Sequence, residues 1–363
     1  NMQVEATDRA LILFTSGTTS EPKAVEMRNG AILGAMDVYG KNLTYGENEN
    51  ALVCTPLAHM MGCLYGIIPV LNVGGKVTIL EKFKTSRVLE IISTQKCTIF
   101  NGVPTMFLFL LNEYKNEDIS SLRTGLIAGS YVSPRLYERI YKELGVKELL
   151  QAFGQTETLA VTGTNVNDPF EKRMYSTGRA LENVEIKIDY SKTEVEENGK
   201  FCRQGEILVR SPYCMNGYLK NEKATARTID EDGWLHTGDL GDIDEDGYLY
   251  IKSRIKDIII KAGENICPAE IENALVSLEG IKEAVVVGVP DPYKTEEICA
   301  FVVPEKEEDL CQVEVITEML KKCLAKYKLP KYVIRVSRFN TTSSGKVKKE
   351  PLRQLYTILS KNL

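Results

Sequence analysis

Four short groups of residues in this chain have the types and spacing to do chemistry. The first is Phe14-Thr15-Ser16-Gly17-Thr18-Thr19-Ser20-Glu21-Pro22-Lys23, behind an apolar strand pattern, Leu11 to Phe14. Small hydroxyl residues around a glycine, closed by a Pro-Lys pair, can wrap backbone N–H groups, hydroxyls and an ammonium around phosphate oxygens. The common P-loop is excluded, because no GxxxxGK precedes a Ser or Thr and Lys23 is followed by Ala24. Such a loop is also an ordinary turn, so its reading depends on the other three groups.

The second group is Gln151-Ala152-Phe153-Gly154-Gln155-Thr156-Glu157, after a strand pattern at Glu148 to Leu150. At a strand end in an open α/β sheet this set suits a nucleotide. Phe153 can stack on a base, Thr156 can donate to a phosphate, and Glu157 can hold Mg²⁺, a hard cation that prefers oxygen ligands. The plain alternative is a capped helix start. The third group is Trp234-Leu235-His236-Thr237-Gly238-Asp239, with Arg254-Ile255-Lys256-Asp257 beginning fifteen residues after Asp239. Asp239 can accept hydrogen bonds from two vicinal ribose hydroxyls, and Arg254 can add a fork of donors. Its alternative is an Asp in a turn and a surface Arg. The fourth is Thr341-Thr342-Ser343-Ser344-Gly345-Lys346, where Gly345 admits a close backbone approach and the Lys346 ammonium reaches forward. The nearby Lys348, Lys349 and Arg353 read as a solvated basic face.

These groups need a scaffold. From residue 11 to about 250, short β-type runs alternate with helical patterns, which predicts an α/β architecture. Val77 to Leu80, Cys97 to Phe100 and Thr124 to Ala128 read as strands, and Pro104 to Tyr114 and Ser133 to Leu144 as helices. An apolar helical pattern also begins near Asn29. Ser133 is a suitable N-cap, Pro134 takes the first helical position, and Gly145 ends the helix. Shorter strands and Gly, Asn and Asp turns over 184–252 predict a β-rich subdomain within a large domain of residues 1–252. A boundary is expected at 253–257. Residues 258–363 then form a compact α+β unit, with an amphipathic helix at Pro268 to Leu278, strands Ala284 to Val289 and Ile298 to Val303, and a helix at Val313 to Tyr327.

Composition narrows the function classes. The 363-residue chain is long enough for two or three domains, and 43% hydrophobic with 26% charged residues is ordinary for a globular protein. A net charge of −5 argues against a general nucleic-acid binder. Nine scattered cysteines without a CxxC pair, and only two histidines, argue against a zinc site. Dispersed thiols suit a reducing, cytoplasmic setting. Met106 to Leu111 is far too short an apolar run to cross a bilayer.

Taken in order, the groups and their neighbours form a longer series: 15–24, Pro56 to Gly62, 153–157, 205–210, 236–239, 253–257, 263–272 and 344–346. This series resembles the ordered landmarks of the adenylate-forming, AMP-binding superfamily, and within it the AMP-forming acyl-CoA synthetases. Those landmarks are a TSGTTGxPKG-like loop, PLxHxxG, an aromatic-GxTE turn, GExxVR, HTGD, a GRxKD-like hinge, GENIxPxEIE and SGK. Ser20 and Ala24 replace usual glycines, Phe153 stands for the commoner Tyr, and Ser253 precedes Arg254 where Gly or Asp is frequent. About a dozen residues precede the phosphate loop here, whereas the family pattern places a long segment before it. The resemblance therefore implies a large α/β domain incomplete at its N-terminal side, a small β subdomain and a small mobile C-terminal lid.

The same resemblance implies ATP, Mg²⁺ and CoA as reactants or cofactor, and a small-molecule carboxylate as substrate. The carboxylate attacks the α-phosphate to give acyl-AMP and pyrophosphate, and a thiol then expels AMP. Thr15, Ser16, Gly17, Thr18, Thr19 and Lys23 would hold the β- and γ-phosphates, and Thr156 and Glu157 the α-phosphate and Mg²⁺. Asp239 and Arg254 would hold ribose, Phe153 and Gly154 would line the nucleotide site, and Gly129 and Ser130 the adenine and acyl pockets. Lys346 would bridge carboxylate and phosphate oxygens. Lys256 sits at the hinge position, and Gly263 on the loop that enters for thioester formation. His59 either gates the acyl pocket or is hydrogen-bonded in the core. A homodimer is compatible with this pattern.

Met60, Met61, Leu159, Ala160 and Val161 would line the acyl pocket, and their apolar character favours an aliphatic tail. Thr124-Gly125-Leu126-Ile127-Ala128-Gly129-Ser130 looks more like medium-chain than aryl synthetases. Asn50 to Thr55 lacks the Asp that peptide-synthetase domains place before PLxHxxG. Two alternatives stay open: a nucleotide binder without turnover, and an enzyme loading a carrier-protein thiol.

Overall fold

Five of the short apolar runs pair side by side in parallel. The computed structural model describes residues 3–15, 22–192, 194–197, 200–306, 313–342 and 347–360. In it the strands Lys76–Ile79, Asn50–Val53, Ile99–Phe100, Thr124–Ile127 and Glu148–Gln155 lie in that spatial order. Parallel neighbours need crossovers. The helices Thr85–Gln95, Pro104–Glu113 and Pro134–Glu143 supply them. Covered on both faces, Asn50–Val53 and Thr124–Ile127 are buried at every position. One apolar core gathers Val88, Ile92, Phe107 and Tyr137, and a second gathers Ala35, Met36 and Tyr39 of the helix Asn29–Asn42 with Val161.

Local capping chemistry appears as the sequence predicts. Ser133 Oγ accepts from Leu136 N at 3.2 Å, Pro134 opens the helix, and Gly145 takes a φ of +71° just beyond its end. The Glu148 strand differs. It runs on to Gln155 and pairs antiparallel with Leu159–Gly163, so the Phe153 motif is a strand and tight turn rather than a helix start. Ladder hydrogen bonds to a partner a few residues away outweigh the local capping pattern. The antiparallel Leu159–Gly163 and Arg179–Ala180 complete a seven-stranded sheet.

Smaller sheets pack beside it. Arg9–Thr15, Lys23–Arg28 and Gly217–Tyr218 form one, bringing the phosphate-loop flanks beside a strand from far along the chain. Glu185–Asp189, Gly205–Arg210, Leu235–Ile243 and Leu249–Arg254 form an antiparallel sheet. Its last strand carries Ser253 and Arg254, so these two residues lie in the sheet and the turn Ile255–Asp257 follows.

The C-terminal part has a five-stranded sheet built on Ile281–Asp291 and Thr295–Pro304, with the helices Pro268–Val276 and Lys349–Ser360 against it. Its third helix is shorter than expected, Val313–Leu320. The chain then turns and forms a 3-10 turn at Lys326–Lys328. There Lys328, with no exposed surface, donates to both oxygens of Glu270 at 2.9 and 2.7 Å. A straight helix continued to Tyr327 is replaced by the bend that seats this pair. Among the described residues no helix is long and apolar enough to cross a membrane, and the cysteines are free thiols.

Candidate functional site

The carboxyl ends of the parallel strands open on a cleft of about 2230 Å³ between the large α/β part and the C-terminal part. Open α/β sheets bind ligands at such ends, where loops diverge. Thr15, Lys23, His59, Met60, Met61, Gly129, Ser130, Phe153, Gly154, Thr156, Glu157, Ala160, Asp239, Arg254 and Lys256 all line it. Ser16, Gly17, Thr18 and Thr19 lie outside the described residues, as does Lys346. Thr342 and Val347, on either side of the segment containing Lys346, both line the cleft.

The Trp234-to-Asp239 segment is a strand with a built-in turn. Glu206, buried in the neighbouring strand, accepts from Gly238 N at 3.2 Å, and its Oε2 lies 3.1 Å from His236 Nδ1. Thr237 Oγ1 donates to Ile207 O at 2.7 Å and accepts from Asp239 N at 3.1 Å. The GExxVR strand thus shapes the HTGD turn, and His236 serves that frame. Asp239 faces Arg254 directly across the sheet, with Oδ1 2.9 Å from Arg254 Nε. Gln155 Nε2 donates to Asp239 Oδ2 at 2.6 Å and to Thr237 O at 2.8 Å. Each oxygen of a carboxylate has two lone pairs and can accept several hydrogen bonds at once. The motif containing Gln155 carries no sign of this role in its sequence. A bulge between Phe153 and Gly154 shifts the register, so spacing alone does not give the facing of Gln155.

The turn Thr156 to Thr158 reverses the chain beneath the cleft. Gln155 N donates to Thr158 Oγ1 at 2.9 Å, which fixes the reversal. At Gly154 a Cβ would stand 2.1 Å from Leu159 O, so only glycine fits between the paired strands. Gly154→Ala is expected to cost about 1–3 kcal/mol, the usual scale of overpacking. A lower urea midpoint with an unchanged slope would report it, and an unchanged midpoint would show that the strands part freely. Thr156 is buried, whereas Glu157 is half-buried, and Tyr218 OH donates to Glu157 Oε1 at 3.0 Å. Lys23 Nζ stands 4.6 Å from the centre of the same Tyr218 ring. Burial, and then the Glu157 charge, push the Tyr218 phenol well above its usual range, so it stays a donor. No local sequence signal points to Tyr218.

On the opposite side of the cleft, Met60 and Met61 are buried at the start of a π-helical turn, Met61–Tyr65. His59 lines the cleft, and its Nδ1 accepts from Met61 N at 3.2 Å. Leu159 and Val161 do not line the cleft. Both are fully buried in the core beneath the strand, while Ala160 and Thr162 face the open side. Alternation along a strand sends neighbours to opposite faces, so of this apolar triplet only Ala160 is available to a ligand. Lys256 lines the cleft from the turn after Arg254, and burial, then the Arg254 charge, hold its ammonium below the usual lysine range. Gly263 lies in the hairpin between Ile259–Lys261 and Glu264–Ile266, away from the cleft lining.

Among the described residues no group of three or more His, Cys, Asp or Glu side chains converges on one point. Mg²⁺ is commonly held by one or two carboxylates together with substrate phosphates, and such a site needs no cluster of that kind. Glu157 lines the cleft as a carboxylate next to Thr156.

Residues 1–219 match the AMP-binding enzyme family, and residues 270–346 match the AMP-binding enzyme C-terminal domain. The chain is 34% identical over 348 residues to the medium-chain fatty-acid–CoA ligase of Escherichia coli (strain K12), covering 95% of this chain and 61% of that protein. It is 35% identical over 353 residues to the mitochondrial medium-chain acyl-CoA ligase ACSF2 of Rattus norvegicus, covering 94% of this chain and 57% of that protein. It thus spans about three fifths of the length of these relatives. ATP-bound MatB from Rhodopseudomonas palustris superposes with a TM-score of 0.89 at 28% identity, over 99% of this chain and 70% of that one. With matched sequence and fold, the chain belongs to the adenylate-forming superfamily of AMP-binding enzymes.

Proposed function

We propose that this chain carries out AMP-forming carboxylate–CoA ligation. ATP and a carboxylate give acyl-AMP and pyrophosphate, and the acyl group then passes to the CoA thiol. One observation carries the reading: Lys23, the Thr156–Glu157 turn and the Gln155–Asp239–Arg254 network line a single cleft. An attacking carboxylate is already ionised, so this chemistry needs preorganised charge rather than a general base. Asp239 accepts from the ribose hydroxyls, while Arg254 and Gln155 hold its carboxylate still. Lys23 places a cation for the departing pyrophosphate. Thr156 offers a hydroxyl to the α-phosphate, and Phe153 stacks against the base. When bound, Mg²⁺ neutralises charge on the phosphate oxygens. Glu157 and Thr156 are the residues that would hold it.

Lys346 is assigned to the first step, bridging carboxylate and phosphate oxygens. For the second, the turn Ile255–Asp257 is short enough to act as a hinge, since hinges absorb large dihedral changes in few residues. Rotation there would withdraw the Lys346 segment and bring Gly263 to the cleft, with Lys256 at the pivot. Met60, Met61 and Ala160 give the acyl side an apolar surface, which favours a medium-chain or other apolar acid. The medium-chain relatives point the same way. The testing experiment is pyrophosphate release from ATP and Mg²⁺ over a ladder of aliphatic and aryl acids, followed by CoA addition. Release peaking at medium aliphatic length, with acyl-CoA formed, is the expected result. ATP binding without release for any acid would favour a nucleotide binder without turnover. Acyl transfer to a carrier thiol but not to CoA would change the acceptor.

A further inference from the structure

We infer that Tyr218 is a positioning residue that presents Glu157 to Mg²⁺ and Lys23 to the polyphosphate of ATP. This assignment rests on the ligase reading above and deepens it at the same site. Three elements distant in sequence meet at one ring: the strand Lys23–Arg28, the turn after Gln155, and the strand Gly217–Tyr218. Tyr218 is paired into the sheet opposite Val25, two residues from Lys23, and only 7% of its surface is exposed. A second tie holds the Tyr218 segment to the turn, because Met215 N donates to Glu157 O at 2.8 Å. Tyr218 N in turn donates to Thr225 Oγ1 at 2.9 Å, which anchors the strand from behind.

The ring divides its work between its two parts. Its hydroxyl occupies Glu157 Oε1 at 3.0 Å, and no described side chain takes the other oxygen, which turns the carboxylate into a one-oxygen ligand of set direction. A metal-ligating carboxylate held by such a partner loses about 10–100-fold in metal affinity when the partner is removed. The ring face carries the Lys23 ammonium at 4.6 Å, a cation–π arrangement that holds a long, flexible side chain at the edge of the phosphate loop. One residue thereby fixes a negative and a positive group on either side of the same phosphate chain. Removing the hydroxyl and removing the ring are separable operations.

The test is calorimetric ATP binding by the whole chain, with Mg²⁺ and with EDTA, for the unsubstituted protein, Tyr218→Phe and Tyr218→Leu. The Phe variant is expected to lose about tenfold or more of the Mg²⁺-dependent gain in ATP affinity while binding metal-free ATP as before. The Leu variant is expected to weaken metal-free ATP binding as well, because Lys23 has lost its platform. Glu157→Gln alone and combined with Tyr218→Phe should bind alike, since the hydroxyl acts through Glu157. An unchanged Mg²⁺ gain in the Phe variant, identical Phe and Leu variants, or additive losses in the double variant would each overturn the assignment. Should the unsubstituted chain fail to bind ATP under either condition, the ligase reading falls and takes this one with it.

Discussion

Lys346→Ala is expected to lower carboxylate-dependent pyrophosphate release on the order of 10²–10³-fold, the scale of losing one preorganised charge contact. In adenylation, negative charge gathers where carboxylate and α-phosphate oxygens approach, and a cation placed between them offsets the repulsion as the new bond forms. The described residues on either side of the segment containing Lys346 are held in the C-terminal part. Thr341 bridges to Val347, Lys348 N donates to Asn340 O at 2.8 Å, and Phe339 is buried in the C-terminal core with Val285 and Phe301. These contacts are made by residues 339–342 and 347–348, so the variant is expected to unfold at the same urea concentration as the parent. Thioester formation from supplied acyl-AMP should stay mostly intact, because that step needs no bridge between carboxylate and ATP. A stopped assay of each half-reaction decides the matter. Equal loss in both would sink the division of labour between the steps.

The second large effect is expected at Asp239. Asp239→Asn keeps the shape but removes the charge that holds Arg254 and, on the proposed reading, would meet ribose. Hydrogen bonds to a charged group contribute about 1.5–3 kcal/mol, so ATP affinity should fall about 10–100-fold. Asp239→Ala should bind ATP no better and should also destabilise the fold by about 1–3 kcal/mol, because Gln155 and Arg254 both lose an acceptor. The partly exposed Arg254 can turn to water, which keeps that cost below the figure for a fully buried pair. Calorimetry with ATP and urea unfolding measure the two effects separately. Should both variants bind ATP like the parent, Asp239 is only a builder of the turn.

Much of the site is legible in the sequence because its pieces are local. Thr156, Glu157 and Asp239 stand beside glycines and hydroxyls whose conformational needs mark them within a few residues. Ser133, Pro134 and Gly145 are legible for the same reason, since a helix start and stop are decided by side chains one turn away. The shortened helix at Val313–Leu320 is not, because the bend that follows it seats Lys328 against Glu270, 58 residues away. An apolar run such as Leu159 to Val161 suggests a pocket lining, yet strand alternation sends only Ala160 of that triplet to the cleft.

By itself the sequence determined the α/β class and the order of the landmarks, and it proposed the chemical types that would meet phosphate, ribose and acyl groups. These depend on short-range spacing and on the intrinsic chemistry of side chains, both of which are written along the chain. Only the tertiary structure decided that Gln155 braces Asp239, that Glu206 shapes the turn before it, and that Tyr218 joins Glu157 to Lys23. Those contacts join residues 32 to 195 positions apart, across strands whose neighbours are chosen by burial of the whole sheet. No local pattern encodes such a choice, because the free energy that selects it belongs to the packed core and not to any segment within it.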